Sequence, residues 1–456
     1  MSRKSINVFI FRRDLRIIDN IALSLLVKQK LPILPIFIFN PVQIKPDKNP
    51  YFSVNAYIFM IECLLDLKLE TKDSLQFFYD KDITVLNQIL MEYDINTIAF
   101  NTDYTPFARN RDSEIKVWCE KNKISCLTAE DYSLYSMGSI LSKSQLPYTI
   151  FTPFYNNCMS VTVPKPNKIS PKINYLISKK LKTIKNITNL IQLPEPLKER
   201  ILGGRDNAII RLNEVKIGKF KKYKKQRDFM LHENTHLSAY IKFGCISIRE
   251  VYWTFKSNKE LLRQLIWREF YAHIVWHFPK VLNSYTFKDK YNDINYNKPD
   301  EKWHKFMKGQ TGFPLVDSAV RQIMTTGYMQ NRLRMIVCNF ITHDLFLDWR
   351  IAERWFATHL IDYDPASNSG GNQSCASVGV DAQPWFRTMN PFVQSLRFDP
   401  KCIFIYKMIP ELNNVPVEDI HNWQEAYKKY SNIKYPAPIV NHKEMIHIFE
   451  EKFKKI

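Results

Sequence analysis

Hydrophobic and polar positions in the first 135 residues follow two alternating patterns. Short runs of consecutive apolar residues, rich in β-branched and aromatic side chains, predict strands at Asn7–Phe11, Ile33–Phe39, Leu75–Tyr79, Thr97–Phe100 and Ile124–Leu127. Between them, apolar residues recur at helical spacing over about 20–30, 54–69, 83–93 and 108–122. Strands that alternate with helices are typical of a parallel sheet with right-handed crossovers. Residues 1–135 are therefore predicted to form a doubly wound α/β domain.

The rest of the chain has a different pattern. Residues 136–205 contain seven prolines and end near Gly203-Gly204, which predicts a connector. From residue 206 to 456 long helical periodicities predominate, for example over Leu261–Phe278, Pro314–Thr326 and Asn331–Phe346. The prediction for this part is a large all-α domain. Its many tryptophans could bury a flat conjugated ligand or stack nucleobases, although a core position is the better interpretation of any single one.

The charge of the chain narrows the choice of partners. Of its 456 residues, 65 are Lys or Arg and 45 are Asp or Glu, so the net charge is +20. Residues 164–200 and Lys216–Arg227 carry much of this excess. Such a balance favours a polyanion, either nucleic acid or an anionic membrane surface, and the basic stretches fit a solvated surface or phosphate contacts equally well. No apolar run of 18 residues exists, which argues against a membrane protein.

The cysteines and the first residues indicate where the protein works. Eight cysteines are scattered without a CxxC pair, so they predict no metal centre. The first apolar run is interrupted by Arg12 and Arg13, which is not typical of a secretion signal. We expect an intracellular protein, cytoplasmic or nuclear and not secreted, with reduced thiols. We also expect a monomer.

Three segments place charged and amide residues inside apolar helical patterns: Leu265–Tyr271, Asn331–Met335 and Leu360–Asn368. Buried carboxylates such as Asp362 and Asp364 need cationic or hydrogen-bonding partners, and Arg334 is a candidate. Each segment alone fits a structural ion pair better than a functional site. Their joint presence, in this order, favours a functional site.

Seven segments together resemble one family. They are Phe11–Asn20, Thr235–Gly244, Gln264–Tyr271, Thr311–Asp317, Thr326–Met335, Asp348–Arg350 and Asp381–Arg387. In this order they resemble the photolyase/cryptochrome family, and most of all its cyclobutane pyrimidine dimer photolyases.

The resemblance implies an FAD held in a folded form inside the helical domain. In the family pattern Arg334 pairs with Asp362 beside the isoalloxazine, Asp364 binds the ribityl or adenine side, and Asn368 faces flavin N5. The full set of implied cofactor residues is Tyr223, Thr235, Leu237, Ser238, Gln264, Asn331, Arg334, Asp362, Asp364 and Asn368. A second antenna chromophore, such as a folate or a deazaflavin, is expected in the family but is not assigned to any residue.

The resemblance also implies an activity, the light-driven repair of cyclobutane dimers in UV-damaged DNA. The implied catalytic residues are Gln264, Asn331, Met335, Asn368 and Trp349. The implied DNA-binding residues are Arg227, Trp267, Arg268, Arg332 and Arg387. Family members that act on (6-4) photoproducts have two histidines in the segment equivalent to Gln330–Met335, and this chain has none there.

Two positions depart from the family pattern. Asn372 and Ser374 stand where most members have tryptophans, at the flavin end of an electron-transfer chain and beside the dimer. Trp349 matches the middle of that chain, and Tyr296 lies near its outer position. The alternative function is therefore a cryptochrome-type blue-light photoreceptor that binds FAD without repairing DNA.

Overall fold

The computed structural model of the protein describes residues 3–168, 172–380 and 388–455. A parallel sheet organises the N-terminal part of the chain. Its strands are β1 (Ser5–Phe11), β2 (Ile33–Phe39), β3 (Gln76–Tyr79), β4 (Asp94–Thr102) and β5 (Ser125–Glu130). Around them lie α1 (Ile21–Val27), α2 (Pro41–Ile44), α3 (Val54–Glu70), α4 (Asp82–Glu92) and α5 (Pro106–Lys121). All neighbouring strands pair in parallel, in the order β3-β2-β1-β4-β5. The predicted doubly wound α/β fold is confirmed.

The order of the strands places a binding crevice in this sheet. The chain moves from β1 outward to β2 and β3, and then returns to the other side of β1 with β4 and β5. Ligands of open α/β sheets bind beyond the carboxyl ends of the strands where the order reverses, which here is between β1 and β4. Both faces of β1 and β2 are buried, because helices cover the two sides of the sheet.

The predicted connector is well structured. It contains α6 (Phe151–Ser160) and a 3-10 turn at Ile187–Asn189. Phe151 and Phe154 of α6 are buried, and the chain beyond α6 bonds back to the sheet, where the amide of Ile33 donates to the carbonyl of Asn174. This segment therefore packs on both neighbouring parts of the protein.

Helices form the rest of the described chain. They are α7 (Arg205–Lys216), α8 (Tyr223–Gln226), α9 (Ser238–Phe243), α10 (Ile248–Phe255), α11 (Lys259–His277), α12 (Glu301–Met307), α13 (Pro314–Thr326), α14 (Asn331–Asn339), α15 (Trp349–His359), α16 (Pro365–Cys375), α17 (Pro391–Phe398), α18 (Ile403–Met408), α19 (Val417–His421), α20 (Trp423–Ala426) and α21 (His442–Lys454). Short 3-10 turns lie at Pro279–Leu282, Asp289–Tyr291, Pro410–Leu412 and Tyr427–Lys429. A π-helical turn, Phe340–Asp344, continues α14, so the helix predicted over Asn331–Phe346 ends two residues earlier, at Asp344, and changes its winding over its last turn. No helix in the described residues is both long and apolar enough to cross a bilayer.

A buried cluster of charges joins the sheet domain to the helical part. Arg249 of α10 bonds through Nε to Oδ2 of Asp19 at 2.9 Å and through Nη2 to Oδ1 of Asp131 at 2.6 Å. Arg16 holds the other oxygen of Asp131 at 2.5 Å. Burial acts to raise the pKa of Asp131, but Arg16 and Arg249 outweigh it and lower that pKa. We name Arg16, Asp19, Asp131 and Arg249 the Arg249 cluster.

We predict that replacing Arg249 with methionine strongly destabilises the protein. Asp19 and Asp131 would stay buried with less positive charge around them, and breaking a buried pair costs about 3–5 kcal/mol. Urea unfolding would measure the loss. The control is Lys280→Met, because Lys280 and its partner Asp289 are 39% and 70% exposed and such pairs contribute about 1 kcal/mol or less. Equal losses in the two variants would contradict the prediction.

Candidate functional site

Arg334 and Asp362 form the ion pair that the sequence predicted. Nη2 of Arg334, on α14, lies 2.8 Å and 3.0 Å from the two oxygens of Asp362, which follows α15. Ser238, the first residue of α9, donates its hydroxyl to Oδ2 of Asp362 at 2.7 Å. The carboxylate is almost fully buried, whereas the Arg334 side chain is 27% exposed. Helices α9 and α14 and the turn after α15 thus meet at the Asp362 carboxylate, whose charge Arg334 neutralises. The exposed part of the Arg334 side chain remains accessible to a ligand.

Asp364 has a different environment from the one predicted. Its carboxylate accepts hydrogen bonds from Nη2 of Arg13 at 2.7 Å, the hydroxyl of Tyr132 at 2.7 Å and the hydroxyl of Tyr104 at 3.1 Å. It also caps α16 by accepting the amide of Ser367 at 3.0 Å. These donors occupy both oxygens of the carboxylate, and the contact of Asp364 with the ribityl or adenine part of the cofactor stays a prediction.

The charge of Asp364 is set by the same neighbours. Burial acts to raise the pKa of Asp364, but Arg13 and Arg268 hold it well below its usual value. Asp364 therefore stays ionised and links the start of α16 to the α/β domain.

Asn368 lies one helical turn after Asp364, next to a carboxyl group that the sequence analysis missed. Its amide nitrogen donates to the carbonyl of Glu353 at 3.0 Å, and Asn372 donates to its backbone carbonyl at 2.8 Å. Burial raises the pKa of Glu353 to about 7, although Tyr51 and Arg354 act against it. Glu353 shares one face of α15 with Trp349 and Phe356, which the helical spacing could have indicated.

The residues predicted on α11 divide into two groups. Gln264 and Trp267 are half-buried on one side of the helix. Trp267 stacks on Phe151 of α6, with ring centroids 3.6 Å apart and an interplanar angle of 3°. Phe151 therefore covers one face of the Trp267 ring. The predicted stacking of Trp267 on a DNA base would use the opposite face.

Arg268 points to the interior of the protein. Its guanidinium bonds to Glu269 at 2.7 Å and to the backbone carbonyl of Tyr132 at 2.9 Å, and it lies 3.8 Å from the centre of the Tyr132 ring. These partners hold the charge of Arg268 inside the protein, and the DNA contact predicted for it stays a prediction.

The other predicted cofactor and substrate residues lie near the ends of short helices. Asn331 begins α14 and donates to Sδ of Met335 at 3.5 Å, so the two side chains share one side of that helix. Tyr223 begins α8, and Thr235 precedes α9 in a half-buried loop. Leu237 is buried at the N-cap of α9. Their predicted contacts with a cofactor stay predictions.

Trp349 is completely buried at the start of α15, and its indole N–H has no hydrogen-bond partner among the described residues. It packs in a cluster with Phe346, and the ring of Tyr296 lies 5.3 Å from that of Phe346. Asn372, which stands in place of a family tryptophan, is buried, and its carbonyl accepts the thiol of Cys338 at 3.6 Å.

The predicted DNA-binding arginines have carboxylate partners at the surface. Arg332 bonds to Asp228 at 3.1 Å, and Arg227 lies 3.4 Å from Glu260. Arg387, with the rest of Asp381–Arg387, lies outside the described residues. Within the described parts of the chain, no three His, Cys, Asp or Glu side chains are grouped so that they could hold a metal ion.

A cavity of about 540 Å³ opens at the carboxyl ends of β1, β2 and β4. Its wall includes the aromatic side chains of Phe39, Tyr51, Phe52 and Phe107. Lys242 also borders it, and burial, with help from Arg13, lowers the pKa of this lysine to about 7. None of the residues predicted to bind the cofactor lines this cavity, which lies at the crevice that the strand order predicts.

Comparisons with known proteins identify the family of the chain. The family model "DNA photolyase" matches residues 7–171, and the model "FAD binding domain of DNA photolyase" matches residues 261–455. A deoxyribodipyrimidine photo-lyase from Alkalihalophilus pseudofirmus is 33% identical over 95% of this chain and 94% of its own length. The chain belongs to the DNA photolyase family. Its second half is therefore an FAD-binding domain.

Two solved structures show the same architecture. The archaeal photolyase from Sulfolobus tokodaii, solved with two FAD molecules, has a TM-score of 0.87 and 34% identity, over 99% of this chain and 100% of that one. The cryptochrome of Synechocystis has a TM-score of 0.88 and 22% identity, over 99% of each chain. The second likeness shows the fold alone, so a photolyase and a cryptochrome share the architecture of this chain.

The side chains around Asp362 fit the FAD that the family binds. Asp362 holds one end of the Arg334 guanidinium, and the carbonyl of Met329 accepts its Nε. The exposed part of the group offers N–H donors to polar atoms of a cofactor. The predicted contact of Asn368 with the flavin would add a neutral amide, which can hydrogen-bond a reduced flavin without placing a negative charge beside it.

We predict that the stability of the protein falls as pH rises from about 4.5 to about 7. The folded state holds the proton of Glu353 more tightly than the unfolded chain does, so this stability is present at low pH and is lost when the carboxyl ionises. A pKa raised from 4.5 to about 7 corresponds to about 3 kcal/mol. Urea unfolding at several pH values would measure the effect.

The variant Glu353→Gln, whose amide does not titrate, should remove the part of this fall that Glu353 causes. A similar part should remain, because burial also raises the pKa of Glu70 to about 7. Glu301→Gln is the matched control, because Glu301 is 82% exposed, and its unfolding should keep the pH dependence of the parent protein. The assignment would be contradicted if the free energy of unfolding changed between pH 5 and pH 8 by the same amount in the parent protein and in Glu353→Gln.

Proposed function

We propose that this protein repairs cyclobutane pyrimidine dimers in DNA by light-driven electron transfer from reduced FAD. The observation that carries the proposal is the joint geometry of α14. This helix holds Arg334 against Asp362 and begins with Asn331 and Met335 on one side. One rigid element thus supports both the cofactor side and the substrate side of the site.

The protein's own residues bind and orient the two reactants. FAD, once bound, supplies the light-excited electron that splits the cyclobutane ring. Arg334 and Asp362 hold the cofactor, and Asn368 contributes its neutral amide. Photolyases extrude the damaged bases from the duplex, and we assign their reception to Gln264 and Trp267 of α11.

The choice of lesion follows from the start of α14. Gln330, Asn331 and Met335 are uncharged at any physiological pH, so this segment has no acid to protonate a (6-4) photoproduct. A cyclobutane dimer needs no proton donor when its ring opens by electron transfer. The uncharged residues at the start of α14 therefore favour the cyclobutane dimer over the (6-4) photoproduct as the substrate.

A photoreceptor is the second candidate. Asn372 and Ser374 replace two tryptophans of the family pattern, and the fold matches that of a cryptochrome closely. Without these rings the light-driven reduction of FAD lacks its usual first donor, and one aromatic wall of the dimer site is absent. Because Asn372 stands at the flavin end of the electron-transfer chain, Trp349, which matches the middle position, is the predicted donor nearest to the flavin in the part that remains.

The decisive experiment supplies the electron chemically and so bypasses that chain. Protein reduced with dithionite is illuminated with blue light in the presence of UV-irradiated DNA, and dimers are counted before and after. We expect dimers to disappear in the light and to persist in the dark. Dimers that persist in the light, with FAD bound and reduced, would favour the photoreceptor.

A pair of tryptophan variants tests the substrate side. Trp267→Ala should weaken binding of dimer-containing DNA by about 1–3 kcal/mol, the usual contribution of one aromatic–base stack. Trp253→Ala is the control, because Trp253 donates to the carbonyl of Pro164 and contacts Lys256 on α10, away from α14 and α16. Equal affinities of the two variants would contradict the role of Trp267.

We also propose that the cavity at the sheet holds a second, conjugated chromophore. Its volume and aromatic wall suit a planar ligand, and the similar structure from Sulfolobus tokodaii contains a second FAD. The chromophore would pass absorbed light energy to the FAD of the helical domain.

We predict that Ala56→Trp, which fills this cavity from α3, abolishes binding of the second chromophore and leaves the first FAD in place. Ala56 lines the cavity. Equilibrium dialysis with FAD, a reduced folate and a deazaflavin, one at a time, would measure the stoichiometry. The proposal would be contradicted if the parent protein bound one FAD and no second molecule of any of the three ligands. It would also be contradicted if Ala56→Trp bound the second ligand as well as the parent protein does.

A further inference from the structure

We propose that Arg13 of the α/β domain is a positioning residue for the FAD site, acting through Asp364 on the helix that carries Asn368. The proposal rests on the proposed function in one respect, namely that Asn368 lies beside the flavin. It gives the α/β domain a task in the FAD site apart from holding an antenna chromophore.

Four hydrogen bonds fix the side chain of Arg13. Its Nη2 donates to Asp364 at 2.7 Å and to the hydroxyl of Tyr132, its Nη1 to Asp103 at 3.2 Å, and its Nε to the carbonyl of Lys242 at 3.2 Å. The guanidinium also lies 4.0 Å from the centre of the Tyr132 ring. Because Arg13 follows β1 after one residue, the buried sheet fixes its backbone as well.

Asp364 transmits this position to α16. One oxygen accepts the amide of Ser367 in the first turn of the helix, and the other accepts Arg13. Asn368 is one turn further along the same helix. A shift of the Asp364 carboxylate therefore moves the helix start and the Asn368 amide together.

Close packing holds α16 on its other side. A Cβ at Gly370 would lie 2.1 Å from Cδ1 of Tyr271 on α11, so the two helices touch with no spare room. Held by α11 on one side and Arg13 at its start, α16 has one position. Removal of Arg13 takes the cationic donor away from the buried Asp364 carboxylate and leaves it only Tyr104, Tyr132 and the amide of Ser367. We therefore expect the start of the helix to shift.

The experiment compares two buried arginines in the full-length holoprotein. Arg13→Met removes the contact to α16. Arg249→Met removes a contact of the same kind, between the same two domains, at α10. Equilibrium dialysis measures FAD affinity, and a spectroelectrochemical titration measures the midpoint potential of the bound flavin.

We expect Arg13→Met to weaken FAD binding about tenfold, within the usual range of coupling between two sites, and to shift the flavin potential. Arg249→Met should lower thermal stability and leave FAD affinity and potential unchanged. Unchanged affinity and potential in Arg13→Met, or the same changes in both variants, would overturn the proposal.

Two further variants test the route through Asp364. Asn also caps helices, so Asp364→Asn keeps the cap and removes the charge that Arg13 holds. If the route is correct, the double variant that combines Arg13→Met with Asp364→Asn binds FAD no more weakly than Arg13→Met alone. The midpoint potential of the flavin in Arg13→Lys should then lie closer to that of the parent protein than it does in Arg13→Met. If Arg13→Met does not fold, Asp364→Asn decides, because an unchanged potential there also overturns the proposal.

These readouts are separate from DNA repair. A protein that binds FAD but repairs no dimers would refute the proposed function, and the potentials of the arginine variants would still show whether Arg13 positions the FAD site.

Discussion

Buried arginine–carboxylate contacts between two domains are the constraint on which this structure depends. Arg249 reaches from α10 to Asp19 and Asp131, and Arg13 reaches from the end of β1 to Asp364. Charges removed from water are costly unless opposite charges and hydrogen bonds surround them. Each cluster is therefore satisfied only when the sheet domain and the helices meet in this one arrangement. The domains then behave as a single framework for the FAD site.

The FAD site is distributed over elements far apart in the chain. Ser238 on α9, Arg334 on α14 and Asp362 after α15 meet at one carboxylate. Such a site is rigid because its parts belong to packed helices and not to a long loop. The same arrangement is compatible with both proposed functions, because each of them requires a bound FAD. What separates them is the substrate side, formed by α11 and the start of α14.

Several residues show where reasoning from the sequence succeeded and failed. The Arg334–Asp362 pair was predicted, because a buried carboxylate near a helical arginine has few other ways to be neutralised. Asp364 was assigned to the cofactor and Arg268 to DNA, and both instead have partners inside the protein. Glu353 was missed, although its position on the buried face of α15 was readable. Arg13, which holds Asp364, and Tyr132, which holds Arg268, lie on segments more than 100 residues away that periodicity cannot locate.

The sequence by itself determined the sheet strands, the long helices and the family, because local hydrophobic spacing and contiguous motifs are encoded over a few residues. Strand β2 and helix α13 even have the predicted bounds. Only the tertiary structure decided that Arg13 holds Asp364, that Phe151 covers one face of Trp267, and that a cavity opens beside the sheet. These features join segments 100 or more residues apart, and their geometry follows from how whole domains pack.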